Sequence, residues 1–209
     1  MTEFNWRNLL TELSQKQIQY DQEMDGKIAM GDGSIIKAQL SPKIHESAWL
    51  GCTGATEAQI IEAEDRLGKR FPPSYREFLK VSNGWMNSGW DAPLWSTKEV
   101  DWFKVRNQNW IDGWVPTEDQ SIPTIPDDEY FIYGSEQDSI NLRVEYLQNA
   151  LEISDYCESD IYLLIPEVIF DDGEWEAWHF GGTLPGATRH RSFYELMKAA
   201  ANTGHFSSG

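Results

Sequence analysis

Cysteine and long apolar runs are scarce in this sequence, and each scarcity excludes a class of protein. The two cysteines, Cys52 and Cys157, are too few for a disulfide framework and lack the spacing of metal ligands. No apolar run approaches the roughly 20 residues that span a bilayer, and the N-terminus lacks the basic start and apolar middle of a signal peptide. We therefore expect a cytoplasmic protein with two reduced thiols and no membrane contact.

Basic residues are nearly missing from the middle of the chain. Residues 107–188 hold 18 Asp and Glu but only one base, Arg143, so this segment carries the whole formal charge of −17. A field of this sign repels nucleic acid and attracts basic proteins, although solubility alone is an alternative explanation. The sequence predicts no nucleic-acid binding. It also predicts contact between a basic protein partner and a set of acids: Asp127, Asp128, Glu129, Glu158, Asp160, Asp171 and Asp172.

Catalytic and cofactor-binding motifs are absent as well. There is no Gly-x-Ser-x-Gly elbow, paired histidine motif or phosphate-binding glycine loop. The densest set of candidate metal ligands is Asp171, Asp172, Glu174, Glu176 and His179. In a strand, however, Glu174 and Glu176 would point to one face and His179 to the other. We therefore favour structural roles for these residues and expect no enzyme activity, cofactor or metal.

Aromatic residues, in contrast, are abundant at 13% with ten Trp, which indicates a folded core rather than disorder. A length of 209 residues suits one domain. We expect an N-terminal helix and extension over 1–50, a core over 51–200 and a flexible tail over 201–209. The Trp-rich stretch 85–114 allows three roles, namely core, protein interface or sugar-stacking platform, of which core is favoured.

Residues 56–84 predict two helices together with their end signals. Thr56 and Gln59 form a capping box before the first helix, and Gly68 provides its left-handed end. A Pro-Pro pair then breaks the chain and starts the second helix. That helix presents one apolar face and ends at an Asn-Gly pair: Tyr75, Phe78, Leu79, Asn83 and Gly84.

The remaining sequence predicts helices at both ends of the chain and a strand-rich middle. Apolar periodicity predicts a helix over 2–24, and Ser192 with Glu195 caps a final helix. Short strands and loops are expected over 85–115. Further strands are expected over 129–133, 139–144, 160–170 and 174–180, the last two joined by a hairpin at Asp172-Gly173. This pattern is typical of the α+β class.

The helix pair resembles the SUKH superfamily, in particular its Smi/Knr-type family. The matching residues are Ile60, Glu64, Leu67, Gly68, Phe71, Pro72, Tyr75, Phe78, Leu79, Asn83 and Gly84. Residues 173–197 are similar to the C-terminal part of bacterial members. The resemblance implies a central, largely antiparallel sheet flanked by helices at both chain ends, with these motif residues in structural roles.

The resemblance also implies a function. Bacterial members typically look like cytoplasmic immunity proteins that bind and neutralise a cognate polymorphic toxin, often a nuclease. We therefore expect a non-enzymatic binding protein that masks the basic active site of such a toxin. The alternative is an intracellular regulatory scaffold for cell-wall synthesis and signalling, as in the fungal branch, whose members usually carry long disordered flanks that this sequence does not show.

Two charged features each allow two interpretations. Glu64 can contact a partner, or it can hydrogen-bond to nearby backbone, and the second is favoured. The basic cluster of Arg189, His190 and Arg191 can bind phosphate, or it can form an internal ion pair with the acidic middle of the chain, which is again the favoured interpretation.

We predict that the purified chain binds no stoichiometric transition metal, because its candidate ligands do not converge. Elemental analysis of protein prepared without chelators measures this directly. One metal per chain, lost when His179 and Glu176 are replaced together by alanine, would overturn the prediction and the strand alternation behind it.

Overall fold

The computed structural model describes residues 4–23, 25, 27–29, 35–37, 40–86, 93–114, 124–155, 160–181 and 186–202. The helices are α1 (Trp6–Glu23), α2 (Pro42–Ser47), α3 (Glu57–Leu67), α4 (Pro73–Val81), α5 (Phe103–Trp114), α6 (Asp127–Tyr130) and α7 (Phe193–Asn202). The strands are β1 (Lys27–Ala29), β2 (Ile35–Lys37), β3 (Asp101–Trp102), β4 (Leu151–Glu152), β5 (Asp160–Ile169), β6 (Trp175–Gly181) and β7 (Gly186–His190). Two 3-10 helices cover Gly134–Glu136 and Val144–Asn149.

A five-stranded antiparallel sheet in the order β3-β4-β5-β6-β7 forms the centre of the fold, and β1 pairs separately with β2. The longest pairing joins β5 to β6 and contains a register shift between Ile165 and Ile169. With helices at both ends of the chain, the architecture is the α+β class that the sequence predicts. Within the described ranges, no helix is both long enough and apolar enough to cross a bilayer.

The two faces of the sheet are buried in two separate hydrophobic cores. Tyr162 and Leu164 of β5 pack in a core with α1, α3, α4 and α7. Leu163 and Ile165 point the other way, into a core with α5 and α6. This alternation follows from the pleat of a strand, and both sets are apolar because helices cover both faces.

Aromatic side chains tie the two ends of the chain together in the first core. Trp6 of α1 lies 5.4 Å from Phe78 of α4 and 5.3 Å from Phe193 of α7, measured between ring centroids. Tyr75 contacts Phe193 edge to face at 5.3 Å. Edge-to-face contacts of this kind stabilise a core beyond the area that they bury.

The capping box before α3 is confirmed. The Gln59 amide donates to Thr56 Oγ1 at 3.3 Å, and the Thr56 amide donates to Gln59 Oε1 at 2.9 Å. Gly68 ends the helix with a φ of 67°, a conformation that glycine adopts without strain. Local chemistry therefore sets both ends of this helix.

Two predicted strands, over 129–133 and 139–144, are wrong. The first region is α6 followed by a turn, and the second is a turn that leads into a 3-10 helix. Pro126 in front of three successive acids favours a helix start, because carboxylates stabilise the first turn of a helix. Strand β7, which the sequence analysis did not predict, takes the edge position of the sheet instead.

The expectation of only short strands and loops over 85–115 is also wrong in part. After the two-residue strand β3, residues 103–114 form α5, with a kink at Asn107, where φ is −127°. Trp110 and Trp114 are four residues apart and both contact Phe180 of the sheet, so the helix is stabilised by tertiary packing.

The first two residues of the segment predicted as a flexible tail, 201–209, lie in the last helix. Ala201 and Asn202 still belong to α7, and Ala201 is buried in the first core. Residues 203–209 lie outside the described part of the chain.

Replacing Leu67 or Phe78 with alanine is expected to lower the free energy of unfolding by about 2–5 kcal/mol, because each leaves a cavity in the first core. Leu67 is 7% exposed and Phe78 is fully buried. Chemical denaturation at equilibrium measures the change. Ile61→Ala is the matched control on α3, since that side chain is 45% exposed and its loss should change stability little. Similar effects for Leu67 and Ile61 would contradict the assigned helix face.

Candidate functional site

The acids predicted to contact a partner occupy three places in the structure. Asp127, Asp128 and Glu129 form the first turn of α6, and all three are exposed. Asp171 and Asp172 are exposed in the turn between β5 and β6. Asp160 is the first residue of β5, and Glu158 lies outside the described residues.

Two of these three groups lie at the same end of the sheet. Tyr133 follows α6 and Phe170 precedes the turn, and their ring centroids are 6.0 Å apart. We call the resulting region the turn surface. It comprises Asp127, Asp128, Glu129, Phe131, Ile132, Tyr133, Ile169, Phe170, Asp171 and Asp172.

Asp160 does not join the turn surface. It begins β5, and the ten residues of this strand place it about 30 Å from the turn at the strand's other end. Its carboxylate lies 3.3 Å from His179 Nε2. The predicted partner-binding acids therefore cannot all form one small patch.

A buried carboxylate joins α6 and the residues after it to the sheet. Glu176 of β6 has no solvent exposure, and it accepts hydrogen bonds from the Tyr130 hydroxyl at 2.5 Å and the Tyr133 hydroxyl at 2.7 Å. The Trp178 indole donates a third bond at 2.7 Å. Burial raises the pKa of Glu176, and these donors together with Arg189 oppose the rise.

Arg189 of β7 completes this network. Its guanidinium is fully buried, lies 3.7 Å from the Glu176 carboxylate and sits 4.3 Å from the centroid of the Tyr130 ring. It also donates to the backbone carbonyls of Tyr130 and Ile132. The preferred interpretation of the basic cluster, an internal ion pair with the acidic middle, is therefore confirmed for Arg189.

The other two members of the basic cluster have different surroundings. His190 is partly buried on β7, and burial, with a smaller contribution from His179, lowers its pKa to about 4. It is therefore neutral at pH 7. Arg191 is exposed and lies 4.4 Å from the centroid of the Phe170 ring.

A second buried carboxylate, Glu174, holds the hairpin turn from the opposite side. It accepts hydrogen bonds from the Ser74 amide at 2.7 Å and the Ser74 hydroxyl at 2.6 Å. Ser74 lies in the first turn of α4, where Pro72 cannot provide a side-chain cap, so Glu174 caps this helix from 100 residues away.

The prediction that Glu174 and Glu176 share a face is wrong. Strand β6 begins at Trp175, so Glu174 belongs to the turn. Side chains in a turn do not follow the alternation between the two faces of the sheet. Glu174 reaches α4 on one side of the sheet, whereas Glu176 reaches α6 on the other. His179 points away from Glu176 and contacts Tyr162 with its ring.

Gln137 covers the exposed edge of β7. Its Oε1 accepts from the Arg189 amide at 2.7 Å, and its Nε2 donates to the Arg189 carbonyl at 3.2 Å. The Ser139 carbonyl accepts from the Ala187 amide at 3.0 Å. These bonds satisfy groups that an edge strand otherwise offers to a second chain.

The motif residues of the helix pair lie mainly inside the fold. Glu64 is 9% exposed, accepts from the Phe71 amide at 2.8 Å and pairs with Arg76, which matches the favoured interpretation of this residue. Asn83 accepts from the Thr97 amide at 2.8 Å, and Gly84 has a φ of 101°. The apolar members are buried: Ile60, Leu67, Phe71, Tyr75, Phe78 and Leu79.

The described tryptophans of the stretch 85–114 are neither fully buried in a core nor exposed as a flat platform. The five tryptophans described between 85 and 114 are all partly buried. They pack against the two cores: Trp85, Trp95 and Trp102 against the first, Trp110 and Trp114 against the second. Trp90 lies outside the described residues.

The composition of the turn surface indicates what it can contact. Among the residues that the structure describes, no three His, Cys, Asp or Glu side chains are grouped as metal ligands. The turn surface instead combines exposed carboxylates with exposed apolar side chains, since Phe131 is 42%, Ile132 38% and Ile169 56% exposed. Exposed charges beside exposed apolar side chains favour contact with another protein.

Sequence analysis did not find the network around Glu176. Its donors Tyr130, Tyr133 and Arg189 are separated from Glu176 by 46, 43 and 13 positions, and only Trp178 is close in sequence. No spacing rule connects such residues. The only signal was the single prediction of an internal ion pair for the basic cluster.

Tyr130→Phe is expected to lower the free energy of unfolding by about 1–3 kcal/mol, because it removes one hydrogen bond from a buried carboxylate. Tyr194→Phe is the control, since the Tyr194 hydroxyl has no hydrogen-bond partner among the described residues, and its effect should stay within about 0.5 kcal/mol. Urea denaturation compares the two variants with the unmodified chain. Equal stability of all three proteins would show that the network does not hold α6.

The chain was compared with curated proteins and with protein families. No curated protein matches the chain. The SMI1 / KNR4 family (SUKH-1), in contrast, matches over residues 54–207, a range that includes the helix pair, the sheet and the turn surface. The resemblance stated from residues 60–84 is confirmed, and the chain belongs to the SMI1 / KNR4 family (SUKH-1).

Proposed function

We propose that this chain is a non-enzymatic cytoplasmic immunity protein that binds a cognate polymorphic toxin and masks its basic active site. Membership of the SMI1 / KNR4 family supports an immunity-like role. The observation that carries the proposal is the confinement of the whole net charge to residues 107–188, together with the grouping of exposed acids on the turn surface.

The charges available to a partner are fewer than the sequence count indicates. Glu152, Glu174 and Glu176 are at most 3% exposed, and each has hydrogen-bond donors within the fold. The acids of α6 and of the β5–β6 turn are instead exposed. These exposed carboxylates supply the field that attracts a cationic partner.

The turn surface also has the composition of a protein interface. Phe131 and Ile132 follow the acids of α6, and Ile169 precedes those of the turn. Apolar side chains at the centre of an interface contribute affinity, and charges around them contribute specificity and association rate. A nuclease suits this surface, because it presents a basic cleft to its nucleic-acid substrate.

The buried hydrogen bonds of Glu174 and Glu176 support the proposal because they hold the turn surface in place. Glu176 and Arg189 fix the segment that carries α6, and Glu174 fixes the turn that carries Asp171 and Asp172. A surface that is already ordered loses less conformational entropy when it binds. The proposed mode of inhibition is therefore steric and electrostatic occlusion by a preformed surface.

We also propose that residues 1–209 form one domain without a cofactor. The contacts of Trp6 with Phe78 and Phe193 support this, because they place α1 in the same core as the helix pair and α7. In this arrangement, residues 1–50 extend the core formed by 51–200.

The experiment measures association with the toxin domain encoded beside this gene, carrying an inactivating substitution in its active site. Asp128→Lys combined with Asp171→Lys is expected to slow association by about tenfold at low salt, because it reverses the steering field. The difference should shrink as salt rises, since exposed charges are then screened. Thermal unfolding should remain unchanged.

The matched control combines Glu46→Lys with Glu62→Lys, which changes the net charge equally but lies outside residues 107–188, the acidic segment. Both residues are exposed, on α2 and α3. Equal association rates for all three proteins at both salt concentrations would show that the acidic segment serves solubility. Failure of the unmodified chain to bind any such toxin would refute the immunity function and favour the regulatory scaffold.

A further inference from the structure

A groove of about 500 Å³ separates the β5–β6 turn from the N-terminal part of α7. Ile169, Phe170 and Asp171 form one side, and Arg191, Tyr194 and Lys198 form the other. It lies beside the turn surface and shares Ile169 and the acids of the turn with it. Its volume is sufficient for one or two side chains of a partner.

The most exposed apolar side chain of the groove is Ile169. Although it ends a strand whose other residues are mostly buried, 56% of it is exposed. Two of the three aromatic rings that line the groove already have cations over them, because Arg191 lies 4.4 Å from the Phe170 centroid and Lys198 lies 5.1 Å from that of Tyr194. An incoming apolar side chain therefore finds its largest contact area on Ile169.

The carboxylates of the groove differ in how far they are engaged. Glu174 caps α4, and Glu195 accepts from the Arg191 amide at 3.2 Å. One oxygen of Asp172 accepts from the Glu174 amide at 3.2 Å. Asp171 has no hydrogen bond or ion pair with any residue in the described part of the chain. In the described part of the chain, the acceptors that remain free are therefore Asp171, the second oxygen of Asp172 and the second oxygen of Glu195.

The charges that line the groove favour a positively charged ligand. Four carboxylates line it against two cations, and both cations already lie over aromatic rings. Two adjacent carboxylates suit a guanidinium, which donates several hydrogen bonds in one plane, better than they suit the compact ammonium of lysine. An acidic ligand would meet Asp171 and Asp172 unfavourably.

We propose that this groove binds an arginine of the basic partner, with the guanidinium on Asp171 and Asp172 and a neighbouring apolar side chain on Ile169. The proposal rests on the proposed function and assigns one subsite of the interface. It gives the turn a role in affinity, in addition to the role of its charges in association rate.

The test uses three dipeptides, acetyl-Leu-Arg-amide, acetyl-Leu-citrulline-amide and acetyl-Leu-Glu-amide, added to isotope-labelled protein. Citrulline has nearly the shape of arginine without its charge. Nuclear magnetic resonance follows the Ile169 methyl groups and the Gly173 amide, and it yields dissociation constants for weak ligands. The arginine peptide should bind about threefold more tightly than the citrulline peptide, as for an exposed charge pair.

Two variants locate the binding. Asp171→Asn should weaken binding of the arginine peptide by about threefold and leave the citrulline peptide unchanged, while Ile169→Thr should weaken both peptides. Glu167→Gln is the matched control, because it removes an exposed carboxylate of β5 that does not line the groove. It should change neither constant. Preserved amide spectra show that each variant is folded.

Equal binding of the arginine and citrulline peptides, tighter binding of the glutamate peptide, or resonance shifts confined to other regions would overturn the proposal. The Asp171→Asn and Ile169→Thr variants are then tested against the toxin domain used above. Unchanged dissociation rates would refute this subsite while leaving the immunity function intact. Loss of the function itself would appear as no binding by the unmodified chain.

Discussion

The structure depends on one buried carboxylate. Glu176 has no solvent exposure, and removing a carboxylate from water costs several kcal/mol unless donors replace the lost hydration. The replacements come from Tyr130, Tyr133, Trp178 and Arg189. Because Trp178 and Arg189 come from the sheet while Tyr130 and Tyr133 come from α6 and the residues after it, the carboxylate is satisfied only when α6 packs against the sheet. One interaction thus places the first group of exposed acids.

Glu174, two residues before Glu176, has an equivalent role on the other face of the sheet. It lies just before the first residue of β6 and accepts hydrogen bonds from Ser74 in the first turn of α4. The hairpin turn is thereby joined to the helix pair that marks the family. Together the two carboxylates anchor opposite faces of one hairpin. The two acids just before these anchors, Asp171 and Asp172, remain exposed in the turn.

The acids of the middle of the chain have different roles, depending on whether they are buried or exposed. Some acids of the middle segment stabilise the fold from within, as Glu152, Glu174 and Glu176 show. Others lie on the turn surface next to Phe131, Ile132 and Ile169, where charge and apolar area combine as they do in protein interfaces. Asp160 pairs with His179 at the far end of the hairpin. A net charge alone does not distinguish these three situations.

The sequence by itself determined the parts of the fold that local chemistry controls. The capping box at Thr56, the end of α3 at Gly68, the aromatic face of α4 and the β5–β6 hairpin all follow from residues that are close in the chain. The family resemblance rested on the same residues. Long-range packing decided much of the rest: α5 is stabilised as a helix because its tryptophans meet Phe180, and α6 has its position on the sheet because Tyr130 reaches Glu176. The candidate site shows the same limit, since only the tertiary structure brings Tyr133 to Phe170. Hydrogen bonds and ring contacts between residues tens of positions apart leave no periodic trace in a sequence, so their partners become known only when the chain is folded.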